Sequence, residues 1–472
     1  MAVLVAERDA GEAPGSLVLA ALAGLALALA AALPEVKLHL AVLGGSSGST
    51  TQGVSFYGAE LAGWSLGLVT LLSPRSRRRI PLGAGAIAVL WCLALAWGAW
   101  QGHRQGAELR DILAEGRAAL LAPALLGLAA LSPRGWRVAL AIGTWGLCLG
   151  FLLQALLLML EPTGQANLNV VPVAVLMAEH DLPWILLLAL ASMVLLLRQA
   201  QAGRALRGGA LVLLWVFFWL TFLRSLWVAL AVGTVVSAVG LFYRRQPSAA
   251  LRLVAWQAGL ALLGLGLALM LQRVVTPDGD YLLRFRLLRL AQSAHIAEPP
   301  PEAPMLGPPN SAVFRGLVRR GGLYRNVQGV PGEPSASIQR AQDPSETDRG
   351  LMRRLSWDQY RRHPLAGVGL GSLLRYSPVP GVARVQRDPH QGYAWLLKCG
   401  VPGLLAGAAL LVLPLAGASC HLRRRRDLAP LWALAGLATL ATAELFHVGW
   451  LQVPTLLAWA LVAAAALRPE PE

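Results

Sequence analysis

Three polar residues, two beside apolar runs and one in a long polar stretch, are of types that suit transfer of a phosphate-linked group. Arg353 and Trp357 are one helical turn apart in DRGLMRRLSWDQYRRH and share a face, with Tyr360 close by. A guanidinium is permanently charged and presents a planar fork of donors, which suits a phosphate or pyrophosphate better than an ammonium does. Arg224, in LTFLRSLWVAL, lies between two long apolar runs. An arginine in mid-span would cost about 2.5–3.5 kcal/mol, so such residues line cavities or sit at a rim, and the turn expected here favours the rim. His390, in RDPHQGYAWLLKCGVPG, can take a proton from a hydroxyl near neutral pH. Each has a plainer alternative. Arg353, Arg354, Arg361 and Arg362 also suit a solvated or headgroup-binding face, Arg224 an arginine snorkelling to headgroups, and His390 a polar cap.

The elements that must position these residues are membrane spans. Hydrophobic residues make up 56% of the 472 positions and charged residues only 14%, with a mean hydropathy of +0.55. A soluble domain carries roughly 25% charged residues. Apolar runs long enough for a hydrocarbon core of roughly 30 Å fall at 16–33, 56–73, 82–100, 118–131, 138–160, 183–197, 208–222, 225–242, 251–271, 392–416, 429–446 and 450–467, about twelve spans. The leader with Glu7, Arg8, Asp9 and Glu12 lacks a basic n-region, so the first run reads as a retained span. Cys92, Cys148, Cys399 and Cys420 show neither metal nor disulfide spacing.

Arginine sorts the short loops. Arg75 and Arg77 to Arg79, Arg134 and Arg137, Arg198, Arg204 and Arg207, Arg244 and Arg245, and Arg423 to Arg426 mark cytoplasmic turns. The alternate loops, at 44–53, 161–180 and 447–453, are neutral or mildly acidic and face outward, which leaves both termini inside. The chain then divides into spans one to nine over 1–271, a large outer loop over 272–391, and spans ten to twelve over 392–472.

That outer loop is rich in arginine and has no lysine. Residues 280–294, with Arg284, Arg286 and Arg289 among leucines, suit a helix lying on the outer leaflet. EPPPEAPMLGPPN reads as a linker, and the stretch Gly321 to Pro334 as irregular. Order returns near Asp348 in a helix ended by Pro364. Secondary candidates flank it. Glu444 and His447 lie at the outer end of the eleventh span, read as structural with an alternative role in a substrate groove. His103, Glu108, Arg110 and Arg117 suit interfacial anchoring, with Arg110 or Arg117 also able to meet a lipid phosphate. Gly367, Gly369 and Gly371 permit tight turns or close approach to a sugar, of which the turn is preferred. No motif asks for a metal or cofactor.

HPLAGVGLG (His363 to Gly371), His390-Gln391-x-Tyr393 and Gly400-x-x-Gly403 together resemble the signature of the O-antigen ligase and polymerase superfamily of bacterial envelope glycosyltransferases. Arg353 four residues before Trp357 matches the arginine and tryptophan that precede the block in that family. Arg224 beside Ser225 resembles its Ser-Arg pair with the order reversed, and Gln391 stands where asparagine is usual.

The resemblance implies an all-α polytopic membrane protein of about twelve transmembrane helices, like the type C glycosyltransferases, with one large periplasmic loop containing helices. It also implies transfer of a glycan from undecaprenyl pyrophosphate to an acceptor hydroxyl at the periplasmic face of the inner membrane. Arg353 and Arg224 would hold the pyrophosphate and His390 would act as general base, with Trp357, Gln391, Tyr393, Arg354 and Arg110 touching substrate. The acceptor would be lipid A–core for a ligase, a second lipid-linked glycan for a polymerase, or protein for an oligosaccharyltransferase. The basic surface helix and long linker favour the ligase. Membrane lipids are expected partners and nucleic acid is not. A transporter of lipid-linked glycan would need mid-span ionisable residues and paired broken half-helices.

Overall fold

A computed structural model describes residues 14–32, 37–40, 54–160, 204–220, 224–275, 354–372, 374–379, 382–386, 394–424, 428–445 and 453–468. The body is helical: α1 (Pro14–Ala32), α2 (Gly58–Leu72), the short α3 (Pro74–Arg77), α4 (Leu82–Arg104), α5 (Leu109–Gly116), α6 (Leu121–Ala129), α7 (Pro133–Leu160), α8 (Arg204–Leu220), α9 (Arg224–Tyr243) and α10 (Pro247–Val275). After these come α11 (354–362), α12 (Ala394–Arg424), α13 (Ala429–Glu444) and α14 (Val453–Leu467). Among the described residues five helical segments are long and apolar enough to cross a membrane: Leu82–Arg104, Leu109–Ala129, Leu226–Tyr243, Pro247–Met270 and Leu397–Leu422. Shorter apolar helices cover Ser16–Ala30, Gly58–Leu72 and Val453–Leu467. The run at 183–197 and the surface helix at 280–294 lie outside the described residues.

The apolar pattern says which helix is central. VPTLLAWALVAAAAL is hydrophobic on all sides, which suits a helix enclosed by others. Accordingly α14 is buried from Val453 to Ala466, packed by α6, α12 and α13 and touched by α1, α2 and α4. Lipid is as apolar as leucine, so what holds such helices together is close packing over small residues. At Gly24 the α1 backbone meets Ile142 of α7, at Gly67 α2 meets Pro123 of α6, and at Gly127 α6 meets Leu66 of α2.

Two ends of the bundle can be told apart. Leu467, the last residue of α14, lies against Gly83 at the start of α4, and Ala466 lies against Gly417 in the second half of α12. The head of α14 is therefore at the opposite end, with the tail of α4 and the head of α12. Gly240 in the last turn of α9 meets Leu431 in the first turn of α13, and the two helices pack together. They run antiparallel, which puts Arg224, the first residue of α9, at the same end as Glu444, the last of α13.

The expected spans at 56–73, 82–100 and 429–446 lie over α2, α4 and α13. Ahead of the fourth apolar run at 118–131, helix begins at Leu109, where α5 is a short amphipathic piece joined to α6 by a 3-10 turn over Arg117–Leu120. Leu109 and Leu113 are exposed on it while Asp111, Ile112 and Glu115 are buried. Two antiparallel hairpins also depart from an all-α body: β1 (Lys37–Leu40) with β2 (Val54–Tyr57), and β3 (Leu374–Val379) with β4 (Val382–Gln386). In the second the register shifts between Tyr376 and Val379. Pro378 falls there, where its missing N–H breaks no regular ladder bond.

Candidate active-site rim

The construction of this rim starts with a break in α12. Gly400 has φ 61° and ψ −141°, outside helical geometry, and Pro402 follows it. In an unbroken helix the carbonyl of Leu397 would accept from the N–H of Val401, and that of Lys398 from residue 402, which as proline has none. The segment 365–370 supplies what is lost. Val368 donates its N–H to the Leu397 carbonyl at 2.8 Å, and Gly369 donates to the Lys398 carbonyl at 2.9 Å. The freed N–H of Val401 donates to the Leu365 carbonyl at 3.1 Å. Every backbone group opened by this part of the break is thus paired, as buried groups require.

The same segment is wedged against α4. Leu370 donates its N–H to the Gly98 carbonyl at 2.8 Å, and the Trp97 indole donates to the Ala366 carbonyl at 3.0 Å. Gly367, Gly369 and Gly371 have φ of 75°, 80° and 78°. A Cβ on Gly369 would fall on the Gly102 backbone, and one on Gly367 would come within 2.5 Å of the Gly400 nitrogen. The turn read from the sequence is therefore also a close approach, made to two helix backbones.

A buried ion pair closes the wedge. Glu115 and Lys398 side chains are 2% and 5% exposed, and the Lys398 ammonium donates to Glu115 Oε1 at 2.9 Å. It also donates to Ser372 Oγ at 3.0 Å and to the Ser372 carbonyl. Glu115 Oε2 accepts the Gly371 N–H at 2.7 Å. Two residues along, Arg117 pairs with buried Glu60 of α2 at 2.7 Å and lies 4.8 Å from the Tyr57 ring centroid. The α5 segment is thereby bound to α12 on one side and α2 on the other.

The exposed side of the rim is basic and aromatic. On α11, Arg354, Trp357, Arg361 and Arg362 are exposed. The Trp357 ring stacks 5.2 Å from Tyr360, and the Arg361 guanidinium lies 5.7 Å from the Trp357 centroid. Arg361, one helical turn after Trp357, thus lies over a face of its ring. Arg104 at the end of α4 covers Trp100 at 5.6 Å. Arg110, His103 and Glu108 are exposed around the α4–α5 turn. Arg224 heads α9 at this end of the bundle. Arg353, His390, Gln391, Tyr393 and His447 lie outside the described residues, although Arg353 directly precedes α11 and His390 to Tyr393 directly precede α12 in the chain.

Residues 209–408 match the family model described as O-Antigen ligase. That match spans 200 of the 472 residues and supports the O-antigen ligase and polymerase superfamily. The matched region takes in most of α8, α9 to α11, the glycine wedge and the broken head of α12, so the ligase-family domain includes one side of the rim. It leaves out the other, since Glu60, Glu115 and Arg117 lie before it. No curated protein matches the chain in sequence. A superfamily member is a multi-pass membrane enzyme of the glycosyltransferase or ligase type.

Glu115 and Lys398 were not among the sequence candidates. One signal was present: only two of the chain's 41 Lys and Arg residues are lysine, Lys37 and Lys398, and the second sits inside an apolar run. A charge there needs a buried partner, but no spacing rule names it.

Proposed function

We propose that this protein is an O-antigen ligase-type glycosyltransferase, moving a glycan from undecaprenyl pyrophosphate to a hydroxyl of lipid A–core. The reading includes about twelve spans, both termini in the cytoplasm, and an active site on the periplasmic face of the bacterial inner membrane. The carrying observation is that the HPLAGVGLG segment is bonded to the broken head of α12, so that the helix following Arg353 and the helix following His390 are anchored to each other.

The chemistry follows from charge. As the bond from the anomeric carbon to the pyrophosphate oxygen breaks, negative charge grows on the leaving group. Guanidinium groups fixed near it, those of Arg353 and Arg224, stabilise the transition state more than the ground state. His390 takes the proton of the acceptor hydroxyl as its oxygen bonds to the anomeric carbon, which inverts that centre. Permanent positive charge fills the role a metal would have, and Trp357, Tyr393, Gln391, Arg354 and Arg110 contact substrate.

The deciding experiment is reconstitution of the purified protein with undecaprenyl-pyrophosphate glycan and either lipid A–core or a second lipid-linked glycan. Transfer to lipid A–core, abolished in His390→Ala, is expected. Extension of the lipid-linked glycan alone would assign a polymerase, and undiminished turnover in His390→Ala would overturn the mechanism.

A further inference from the structure

We infer that Glu115 and Lys398 are a positioning pair that orients the head of α12, and with it the chain leading from His390, for glycosyl transfer. The inference rests on the proposed role of His390. Because α12 breaks at Gly400, its first residues are not held in line by the helix that follows. Their direction is set instead by the wedge, through the carbonyls of Leu397 and Lys398, and by the Lys398 side chain.

That side chain gathers three elements at one point. It reaches Glu115 at the end of α5 and both oxygens of Ser372 at the end of the wedge. Ser372 in turn donates its hydroxyl to the Gly369 carbonyl at 2.8 Å, so the lysine grips a loop that is itself closed. Glu115 completes the circuit through the Gly371 N–H. An ammonium has three donors, and here it has three acceptors, one on Glu115 and two on Ser372. A planar guanidinium on a longer stem does not reproduce that arrangement, which is a physical reason for lysine in a chain with 39 arginines and two lysines. Neither residue faces the exposed rim, since both are buried. They act through backbone placement.

Replacing a whole buried ion pair by apolar residues of similar volume is often neutral for stability, whereas removing one partner is not. This separates positioning from mere support. In the double variant Glu115→Leu with Lys398→Met, assayed as full-length protein in proteoliposomes, we expect insertion and melting close to the native protein. Its kcat should be about 10- to 100-fold lower, as a displacement near 1 Å produces, with little change in KM for the lipid-linked donor. Recovery of native kcat in that variant would overturn the inference.

Where the double variant does not insert, Glu115→Gln decides. It keeps the shape and an acceptor for Gly371 while removing the charge opposite Lys398. A lowered kcat at unchanged KM is expected, and native kcat would overturn the proposal. Native turnover and its loss in His390→Ala are measured first. If either fails, glycosyl transfer by His390 is disproved, whereas amide exchange still reads the pair. Faster exchange at Val368 to Gly371 in Glu115→Gln supports the clamp, and unchanged exchange there overturns it.

Discussion

The Lys398 ammonium and the Glu115 carboxylate meet at 2.9 Å across 283 positions of sequence, and both are buried. Removing one partner strands the other charge away from water. Lys398→Met alone should therefore lower stability by about 3–5 kcal/mol, measured as a loss of melting temperature in detergent. The exposed Arg362→Ala should shift it by no more than about 0.5 kcal/mol. Equal shifts in the two variants would mean that the buried pair carries no special weight.

The wedge glycines separate by what surrounds them. Gly369→Ala meets two obstacles at once, a φ of 80° and the Gly102 backbone where its Cβ would go. A left-handed conformation alone costs about 1–2 kcal/mol, and the clash must also push α4 from α12. Gly85→Ala, with nothing within 4 Å of the new Cβ in the first turn of α4, should stabilise by no more than about 0.5–1 kcal/mol. Thermal melting of both variants tests the contrast; a tolerated Gly369→Ala would disprove the docking of the wedge against α4.

Much of the helical body was legible because lipid imposes a simple grammar: apolar runs of set length, with arginine collected at one set of turns. Where that grammar weakens, so does the reading. The start of the fourth span was blurred because Arg110, Asp111 and Glu115 interrupt its apolarity, and Asp111 and Glu115 are buried together with Ile112 on α5. The β3–β4 hairpin was hidden by Pro378, which argues against a strand except at an irregularity. HPLAGVGLG could be recognised as a motif, yet its partners could not. Val368 and Gly369 bond to carbonyls whose own helix partners are missing, and that exchange depends on Gly400 and Pro402 in another segment.

The outer arginines should not be equivalent. If pyrophosphate charge is held at one place, Arg353→Ala abolishes transfer while leaving insertion intact. Arg284→Ala, on a segment proposed to lie on lipid, only weakens membrane contact. Removing the general base in His390→Ala should cost about 10²- to 10⁴-fold in kcat. Initial rates with a fixed lipid-linked donor measure all three. Equal losses for Arg353→Ala and Arg284→Ala would show that the loop's charge acts collectively.

The break in α12 offers a test of the backbone exchange itself. Pro402→Ala restores an N–H that can donate to the Lys398 carbonyl, the acceptor now used by Gly369. Gly400→Ala removes the residue that tolerates φ 61° and favours continuous helix by about 1 kcal/mol. Together they let α12 satisfy its own carbonyls, and the wedge then loses its bonds to Leu397 and Lys398. The doubly substituted protein should remain helical by circular dichroism but become open to proteolysis between His363 and Ser372, with transfer lost. A protease-resistant double variant with native turnover would show that the wedge is held by α4 and the Glu115–Lys398 pair without help from the broken helix.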